Sequence, residues 1–276
     1  GGASNVALNL SSLGAQTTLL SVTGDDADGK ILSSLLHEKG IEGKYLIGSS
    51  SRVTTNKTRI ISRNQQMFRL DTEVIRDLDE TETRKLMESI ESFIQKEKPD
   101  VILFEDYDKG VLTNEVISRT IALCIDRGIL TAVDPKRKSF FSYKGVDIFK
   151  PNLKEVRDAL HLTSEEVSHR SLAMIHEQLQ TQLHHLISLI TLSEKGVYYQ
   201  TGMESAVIPS HVRNIADVSG AGDTVIAVAS LVYAVTRDAR LMAEVANLAG
   251  GLVCEEVGTV AIDPDRLRQE MKQLPG

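Results

Sequence analysis

The chain has no tryptophan, only 4% aromatic residues and two cysteines among its 276 residues. Two cysteines cannot build the disulfide framework of a small secreted fold. Cys124 and Cys254 each lie in a helix-like apolar run, which fits buried thiols in a reducing cytosol better than a catalytic cysteine. No His-Glu-x-x-His or Cys-x-x-Cys motif occurs. His184-His185 has no partner at metal spacing and reads as the start of a strand. The most apolar run, Val225 to Val235, is too short to span a bilayer and reads as a core helix. With 31 Lys plus Arg against 38 Asp plus Glu, the net charge is −7. This balance disfavours a general nucleic-acid or membrane-surface binder but leaves room for a local basic pocket. No secretory leader, repeat, low-complexity tract or clear linker is recognisable. A cytoplasmic location is expected, and Gly1-Gly2 opens so abruptly into a helix pattern that the chain reads as starting inside a domain.

Hydrophobic residues make up 41% and charged residues 25%, ordinary for a soluble chain with a real core. The length suits one large α/β domain or two small ones. The most informative stretch is Asp217-Val-Ser-Gly-Ala-Gly-Asp-Thr224, which leads into the apolar run. Gly220, Ala221 and Gly222 can turn tightly with their amides aimed at one point, and a helix beginning there adds its positive end. Asp223 at the mouth of such a site is badly placed to bind phosphate. It is well placed to take a proton from an alcohol that attacks phosphate. The plainer alternative is a glycine-rich helix start with an N-terminal acid.

Helical spacing runs from Ala3 to Leu13 and stops at Gly14; Thr17 to Val22 reads as a strand and Asp28 to Lys39 as a helix. Val53 to Ser62 and Gln66 to Leu70 read as a hairpin joined by Arg63-Asn64-Gln65, a small β flap over 53–70. Helices are expected over Glu80 to Glu97, Asn114 to Arg127, Leu153 to Leu160 and about Ser164 to Leu183. Strands are expected over Val101 to Phe104, Leu130 to Val133, Val146 to Phe149 and Leu186 to Leu192. Short strands around Tyr198 and Val207 precede two long helices starting at Gly222 and Ala239. This alternation indicates a largely parallel sheet covered on both faces. Ligands of such sheets bind beyond the carboxyl ends of the strands.

Polar groups follow those ends repeatedly: Glu105-Asp-Tyr-Asp-Lys-Gly110, Asp134-Pro-Lys136, Lys150-Pro-Asn-Leu-Lys-Glu155 and Ser193-Glu-Lys-Gly196. Asn152 and Glu155, three apart at a helix start, could orient the waters of Mg²⁺ or could form a capping box. Beside the glycine-rich turn, the metal reading is preferred. Lys109 and Lys136 could neutralise substrate phosphates, or be ordinary solvated lysines. Gly24 to Lys30 has the spacing of a phosphate loop, but Ile31 stands where a hydroxyl is required and Asp25, Asp26 and Asp28 would repel a triphosphate. That segment reads as a turn with a helix cap. Asn56-Lys-Thr-Arg59, Arg63-Asn-Gln-Gln66 and Arg69 make the flap basic and amide-rich, suited to gripping a phosphorylated polyol or simply solvated.

Two signatures carry a resemblance. Gly1-Gly-Ala-Ser-Asn-Val-Ala7 with Leu13-Gly14, and Asp217 to Thr224, resemble the first and second signatures of the ribokinase/PfkB-type sugar kinases, in order and at the right ends. Within that family, Ser62 to Gln66, Arg69-Leu-Asp71, Asp106 to Gly110, Asp134 to Lys136 and Pro151 to Glu155 are similar to kinases of heptose 7-phosphate. Those kinases are often half of a bifunctional ADP-heptose synthase.

The resemblance implies a three-layer ribokinase-like α/β fold, a single kinase domain over 1–276 with the 53–70 flap, and ATP with Mg²⁺ as cofactors. Asp223 would be the catalytic base and Gly220, Ala221 and Gly222 the anion hole. Gly2 and Asn5 would contact the sugar; Lys57, Arg63, Asn64, Asp106, Lys109, Asp134 and Lys136 would face the phosphosugar. Ser193, Glu194 and Gly196 would flank the nucleotide, with Asn247 near adenine. Asn152 and Glu155 would lie in the Mg²⁺ region, and Asp217 and Ser219 in a possible K⁺ loop. Two departures stand out: the family's N-terminal strands before the first signature are not in this sequence, and Glu105 replaces an expected small residue. The expected activity is transfer of phosphate from ATP to the anomeric hydroxyl of D-glycero-D-manno-heptose 7-phosphate, toward ADP-heptose and lipopolysaccharide core. Another sugar, or a non-catalytic sugar-phosphate or nucleotide sensor, is the alternative. The expected partners are these small molecules and a second copy through the flap, with no nucleic acid and no membrane.

Overall fold

A computed structural model describes residues 2–62, 65–163, 166–211 and 214–272. Helix α1 (Gly2–Ser12) leads to strand β1 (Ser21–Gly24), helix α2 (Ala27–Glu38) and strand β2 (Leu46–Ser49), which pairs with β1 in parallel. Strands β3 (Asn56–Ser62) and β4 (Gln65–Thr72) form a separate antiparallel hairpin. After α3 (Glu80–Glu97) come β5 (Val101–Glu105), α4 (Asn114–Arg127), β6 (Leu130–Asp134), β7 (Ile148–Phe149), α5 (Leu153–Leu160), α6 (His169–Leu183) and β8 (Ile187–Thr191). Strands β9 (Val197–Gln200) and β10 (Ser205–Ile208) and helices α7 (Ala221–Thr236), α8 (Ala239–Val253) and α9 (Pro264–Met271) complete the order.

The main sheet runs β10-β9-β8-β7-β6-β5, with β5 to β8 parallel and β9 and β10 antiparallel. Every residue of β6 is buried. Leu130 and Ala132 pack with α7 and α8 on one face, and Val133 packs with Ile117, Phe149 and Leu179 on the other. Such double coverage explains why these strands read as continuous apolar runs rather than alternating ones. Helix α7 is apolar nearly all round, with Val225 to Ser230 buried between α1, α8 and β6. The ends are set by local chemistry. Asp79 and Glu82 form a capping box at α3, Thr113 caps α4, and Gly128 ends α4 at φ 65°.

Several boundaries differ from the sequence expectation for identifiable reasons. Val53 to Thr55 stays out of β3 because Thr54 serves Asp26: its amide donates to Asp26 Oδ2 (2.8 Å) and its hydroxyl to Oδ1 (2.7 Å). Asp26 also accepts the Gly29 amide (2.8 Å), so Gly24 to Lys30 is the capped turn expected. Thr18 makes one isolated bridge to Glu42, and a full ladder forms only from Ser21. Strand β7 is short because the Asp147 carboxylate takes the Thr131 amide (2.7 Å). Ser168 caps α6, so that helix starts at His169; Ser164 lies outside the described residues. His184 ends α6 in the left-handed region (φ 53°) instead of starting a strand. Strand β2 and helix α9 were not anticipated, although Asp263-Pro264 is a cap and first-turn signal.

A cavity of about 1310 Å³ lies between α1, β1, the flap and β5, and reaches Gly220 and Asp223. No helix among the described residues is long and apolar enough to cross a membrane.

Candidate active site

Gly220 begins α7 at φ 82°, with no side-chain cap. A Cβ there would meet Asn5 Nδ2 at 2.8 Å and Thr259 Cγ2 at 2.9 Å. Backbone conformation and space therefore both require glycine. Gly222 is different: its Cβ position lies 3.6 Å from Lys150 Nζ and 3.9 Å from Asp134 Oδ2, ordinary contact distances. Ala221 donates its amide to Val218 (3.3 Å) and Thr224 closes the turn on Gly220 (3.0 Å). Gly222 and Asp223 lie in the first turn of α7, where amides have no acceptor within the helix.

Asp223 is 7% exposed. Its Oδ2 accepts from Asn5 Nδ2 (2.8 Å) and its Oδ1 from the Tyr107 hydroxyl (3.1 Å). Asn5 and Asp223 lie 218 positions apart, so the two signature segments meet at one carboxylate. Among the described residues no cation pairs with Asp223; two neutral donors hold it. Burial raises its pKa, the Asn5 and Tyr107 bonds oppose that, and Asp134 adds to it. An acid biased upward and lining the cavity is suited to receive a proton. Gly2 stands so close that a Cβ there would overlap the Tyr107 ring.

Beyond the strand ends lies a row of charge. Glu105 and Asp134 are register partners on β5 and β6. Lys150, 2% exposed, follows β7 and pairs with Asp134 Oδ2 (3.0 Å). Lys136 pairs with Asp134 Oδ1 (3.2 Å) and with Glu155 Oε1 (2.9 Å). Burial opposes the charge of Lys136, but Asp134 and Glu155 outweigh it and its pKa rises. Oxygen atoms of Glu105, Asp134 and Asp223 come within 4.8 Å of one another. Two unit charges at that separation repel by about 3.5 kcal/mol at an effective dielectric constant of about 20. Two ammonium groups already sit on Asp134, where a metal ion would have to compete with them.

The remaining expected residues fall into three places. Asp106 is buried beside the cavity, accepting from Tyr143 (2.7 Å) and from the Asp108 amide (2.8 Å), and burial raises its pKa. Lys57 of β3 reaches Asp71 (3.2 Å) and Glu73 (3.3 Å), and Lys109 reaches Glu73 (2.6 Å), so Glu73 joins the flap to the loop after β5. Arg63 and Asn64 lie outside the described residues. Asn152 and Glu155 do form the capping box, each side chain bonded to the other's amide at 2.8 Å. The capping alternative is thus realised, and Glu155 is also engaged by Lys136.

On the β8 side, Ser193 (φ 55°) and Gly196 (φ 95°) shape a turn against β10; a Cβ on Gly196 would lie 2.0 Å from the Ile208 carbonyl oxygen. Ser210 donates to the Glu194 carbonyl, and Asn247 donates to the Pro209 carbonyl (2.9 Å). Glu194, Gly196 and Asn247 therefore gather around one segment, 208–210, and Ser193 closes the turn by accepting the Gly196 amide (3.1 Å). Asp217 accepts the amides of Ser219 (2.9 Å) and Gly258 (3.0 Å), which fixes the loop before α7. Lys150, Tyr107 and Glu73 join the site without belonging to the residues expected from the sequence. Lys150 and Tyr107 stand within the post-strand segments, and that position was their only signal.

The pattern of the pfkB family of carbohydrate kinases matches residues 1–266. The chain belongs to the pfkB carbohydrate kinase family. It is 36% identical over 272 residues to the bifunctional protein HldE of Methylobacillus flagellatus, covering 99% of this chain and 55% of that one. It is 37% identical over 259 residues to the HldE protein of Helicobacter pylori strain J99, covering 94% of this chain and 55% of that one. This pfkB-family chain thus spans about half the length of the curated relatives it matches. Its fold matches phosphofructokinase-2 of Escherichia coli in complex with potassium (TM-score 0.82, 18% identity, 98% of this chain and 85% of that one). It also matches Arabidopsis thaliana ribokinase complexed with ribose and ATP (TM-score 0.78, 15% identity, 99% and 87%). The ribokinase-like fold expected from the signatures is therefore the fold of this family member.

Proposed function

We propose that the chain is an ATP-dependent kinase unit, residues 1–276 with 53–70 as its flap, that phosphorylates the anomeric hydroxyl of D-glycero-D-manno-heptose 7-phosphate. The observation that carries this reading is Asp223, held by Asn5 and Tyr107 at the cavity and beside the first-turn amides of α7. Asp223 takes the proton of the attacking hydroxyl. The amides of the Gly220 to Gly222 turn stabilise charge on the transferring phosphoryl group. Gly2 and Asn5 meet the sugar; Asp106, Asp134, Lys136, Lys57 and Lys109 face its hydroxyls and distal phosphate, with Arg63 and Asn64 assigned to the same side. Similarity to two HldE proteins at 36% and 37% identity supports the heptose acceptor.

Ser193, Glu194, Gly196 and Asn247 would flank the nucleotide. The Glu155 carboxylate is already bonded to the Asn152 amide and Lys136, yet carboxylate oxygens retain further acceptor sites. Asn152 and Glu155 therefore fit contact with the waters of Mg²⁺, which would supply charge neutralisation on the nucleotide phosphates. Asp217 and Ser219 are assigned to a K⁺ loop, as the family signature implies; Asp217 fixes that loop by accepting the Ser219 and Gly258 amides.

The flap hairpin is two-faced. Ile60 stands opposite Phe68, and Thr58 opposite Leu70. Ile60, Phe68 and Leu70 are 39%, 51% and 55% exposed. On the other face, Lys57 pairs toward Glu73. We assign the apolar face to a homodimer contact and the charged face to the phosphosugar; a monomer in sedimentation at micromolar concentration would reject the dimer. A cytoplasmic location accompanies these substrates. An ADP-release assay with heptose 7-phosphate, fructose 6-phosphate and ribose tests the acceptor. Preference for heptose 7-phosphate is expected, and preference for unphosphorylated ribose would reject the assignment.

A further inference from the structure

Of Glu105, Asp134 and Asp223, Glu105 is the one that has, among the described residues, neither an ion-pair partner nor a hydrogen-bond donor. Both of its carboxylate oxygens are buried and have no hydrogen-bond partner among the described residues. The groups facing it come from several elements. Asp134 on β6 is occupied by Lys150 after β7 and by Lys136. Asp223 on α7 is occupied by Asn5 of α1 and by Tyr107. Asp106, next along its own chain, is turned to Tyr143 and the Asp108 amide. Three carboxylates have oxygens within 4.8 Å of one another, and the two ammonium groups nearby both sit on Asp134, one of them shared with Glu155. The carboxylates outnumber the cations, and an unpartnered buried acid among like charges favours its neutral form. The acid without a partner is the one that takes the proton.

We propose that Glu105 acts through Asp223 as a neutral carboxylic acid, a positioning residue that keeps a further negative charge away from the base and from the incoming phosphoryl group. The inference rests on the kinase reading of Asp223. Burial first, then Asp134 and Asp223, push the Glu105 carboxyl up to about 9, while Lys150 and Lys136 pull the other way. Below that pH the cleft admits a polyanion against two carboxylates. Above it a third carboxylate ionises beside the base and repels the phosphoryl group. This gives a function to the residue that departs from the small side chain expected after β5.

The test uses the whole chain and the isosteric variant Glu105→Gln. First, infrared difference spectra of the two proteins at pH 7 are expected to show a protonated-carboxyl C=O band that is lost in the variant. This readout needs no sugar. Second, kcat/KM for the best acceptor is measured from pH 6 to 10. The variant-to-wild-type ratio is expected to rise about tenfold between pH 7 and pH 10, because ionisation near 9 leaves roughly a tenth of the wild-type protein neutral at pH 10. Glu105→Ser repeats the measurement should Glu105→Gln fold poorly. A flat ratio in both folded variants, or no lost band, overturns the proposal. A lost band in a protein that does not phosphorylate heptose 7-phosphate leaves the neutral Glu105 standing and removes the heptose assignment instead.

Discussion

Asp223 and Lys57 line the same cavity, but they are held in opposite ways. Asp223 stands on the first turn of α7, whose following residues are buried on nearly every side. Lys57 stands on a two-stranded hairpin that, among the described residues, pairs with no other strand, and it is tied to Asp71 and Glu73 by partly exposed ion pairs. The base is fixed by the core and by two hydrogen bonds, as the chemistry of proton transfer demands. The flap is fixed by contacts worth little in water. A site assembled from both can keep its reacting atoms rigid while the surface that meets the substrate's distal end adjusts.

Breaking the rigid half should have the largest effect. Asp223→Asn keeps the shape and the Asn5 contact but removes the proton acceptor, so kcat is expected to fall about 10²–10⁴-fold with little change in melting temperature. Turnover near wild type would remove Asp223 from the base role. Gly220→Ala should follow closely, since it strains a left-handed position and presses on Asn5 and Thr259. A loss of about 1–3 kcal/mol in denaturant unfolding is expected, together with most activity.

The flexible half should show smaller effects of a different kind. Lys57→Ala and Lys109→Ala each release one partner of Glu73. KM for the phosphosugar should rise roughly tenfold, as expected for loss of about 1.4 kcal/mol of binding, with kcat changing less. Phe68→Ser, on the outer face of the hairpin, should weaken self-association in sedimentation and leave melting within about 0.5 kcal/mol of wild type.

The smallest effect at neutral pH lies far from both halves. His176 and His185 converge on the Ser188 hydroxyl at 2.9 and 2.7 Å inside the sheet. Burial lowers both, His185 to about 3. An unfolded chain takes these protons below about pH 6.5 while the folded one refuses them, so stability present above that pH is lost as pH falls toward 3. The slope is at most about 1.4 kcal/mol per pH unit for each group. Denaturation midpoints that stay flat from pH 7 to 4 in wild type would remove this effect; His185→Phe separates its share.

The same contrast governs what could be read in the sequence. Helices α3, α4 and α5 were legible to the residue because Asp79, Thr113 and Asn152 are caps whose chemistry is local. The rim was legible because polar segments follow each buried strand. The meeting of Asn5 with Asp223 was carried only by the two signatures, since contacts between distant segments leave no periodicity. Asn152 and Glu155 admitted two readings, and the capping geometry was decided by helix α5 itself. Lys150 read as one lysine among many; only the fold shows that its ammonium is buried against Asp134. Strand β2 was invisible because its four residues have no alternation, being held by their ladder to β1.

The packing of α7 has a consequence for heating. A helix wrapped by α1, α8 and β6 cannot loosen its first turn without disturbing the sheet beneath it. Thermal inactivation and loss of the near-ultraviolet signal should therefore coincide, whereas protease cleavage in the hairpin should begin many degrees earlier. In that interval the molecule would retain a competent acid and an opened doorway.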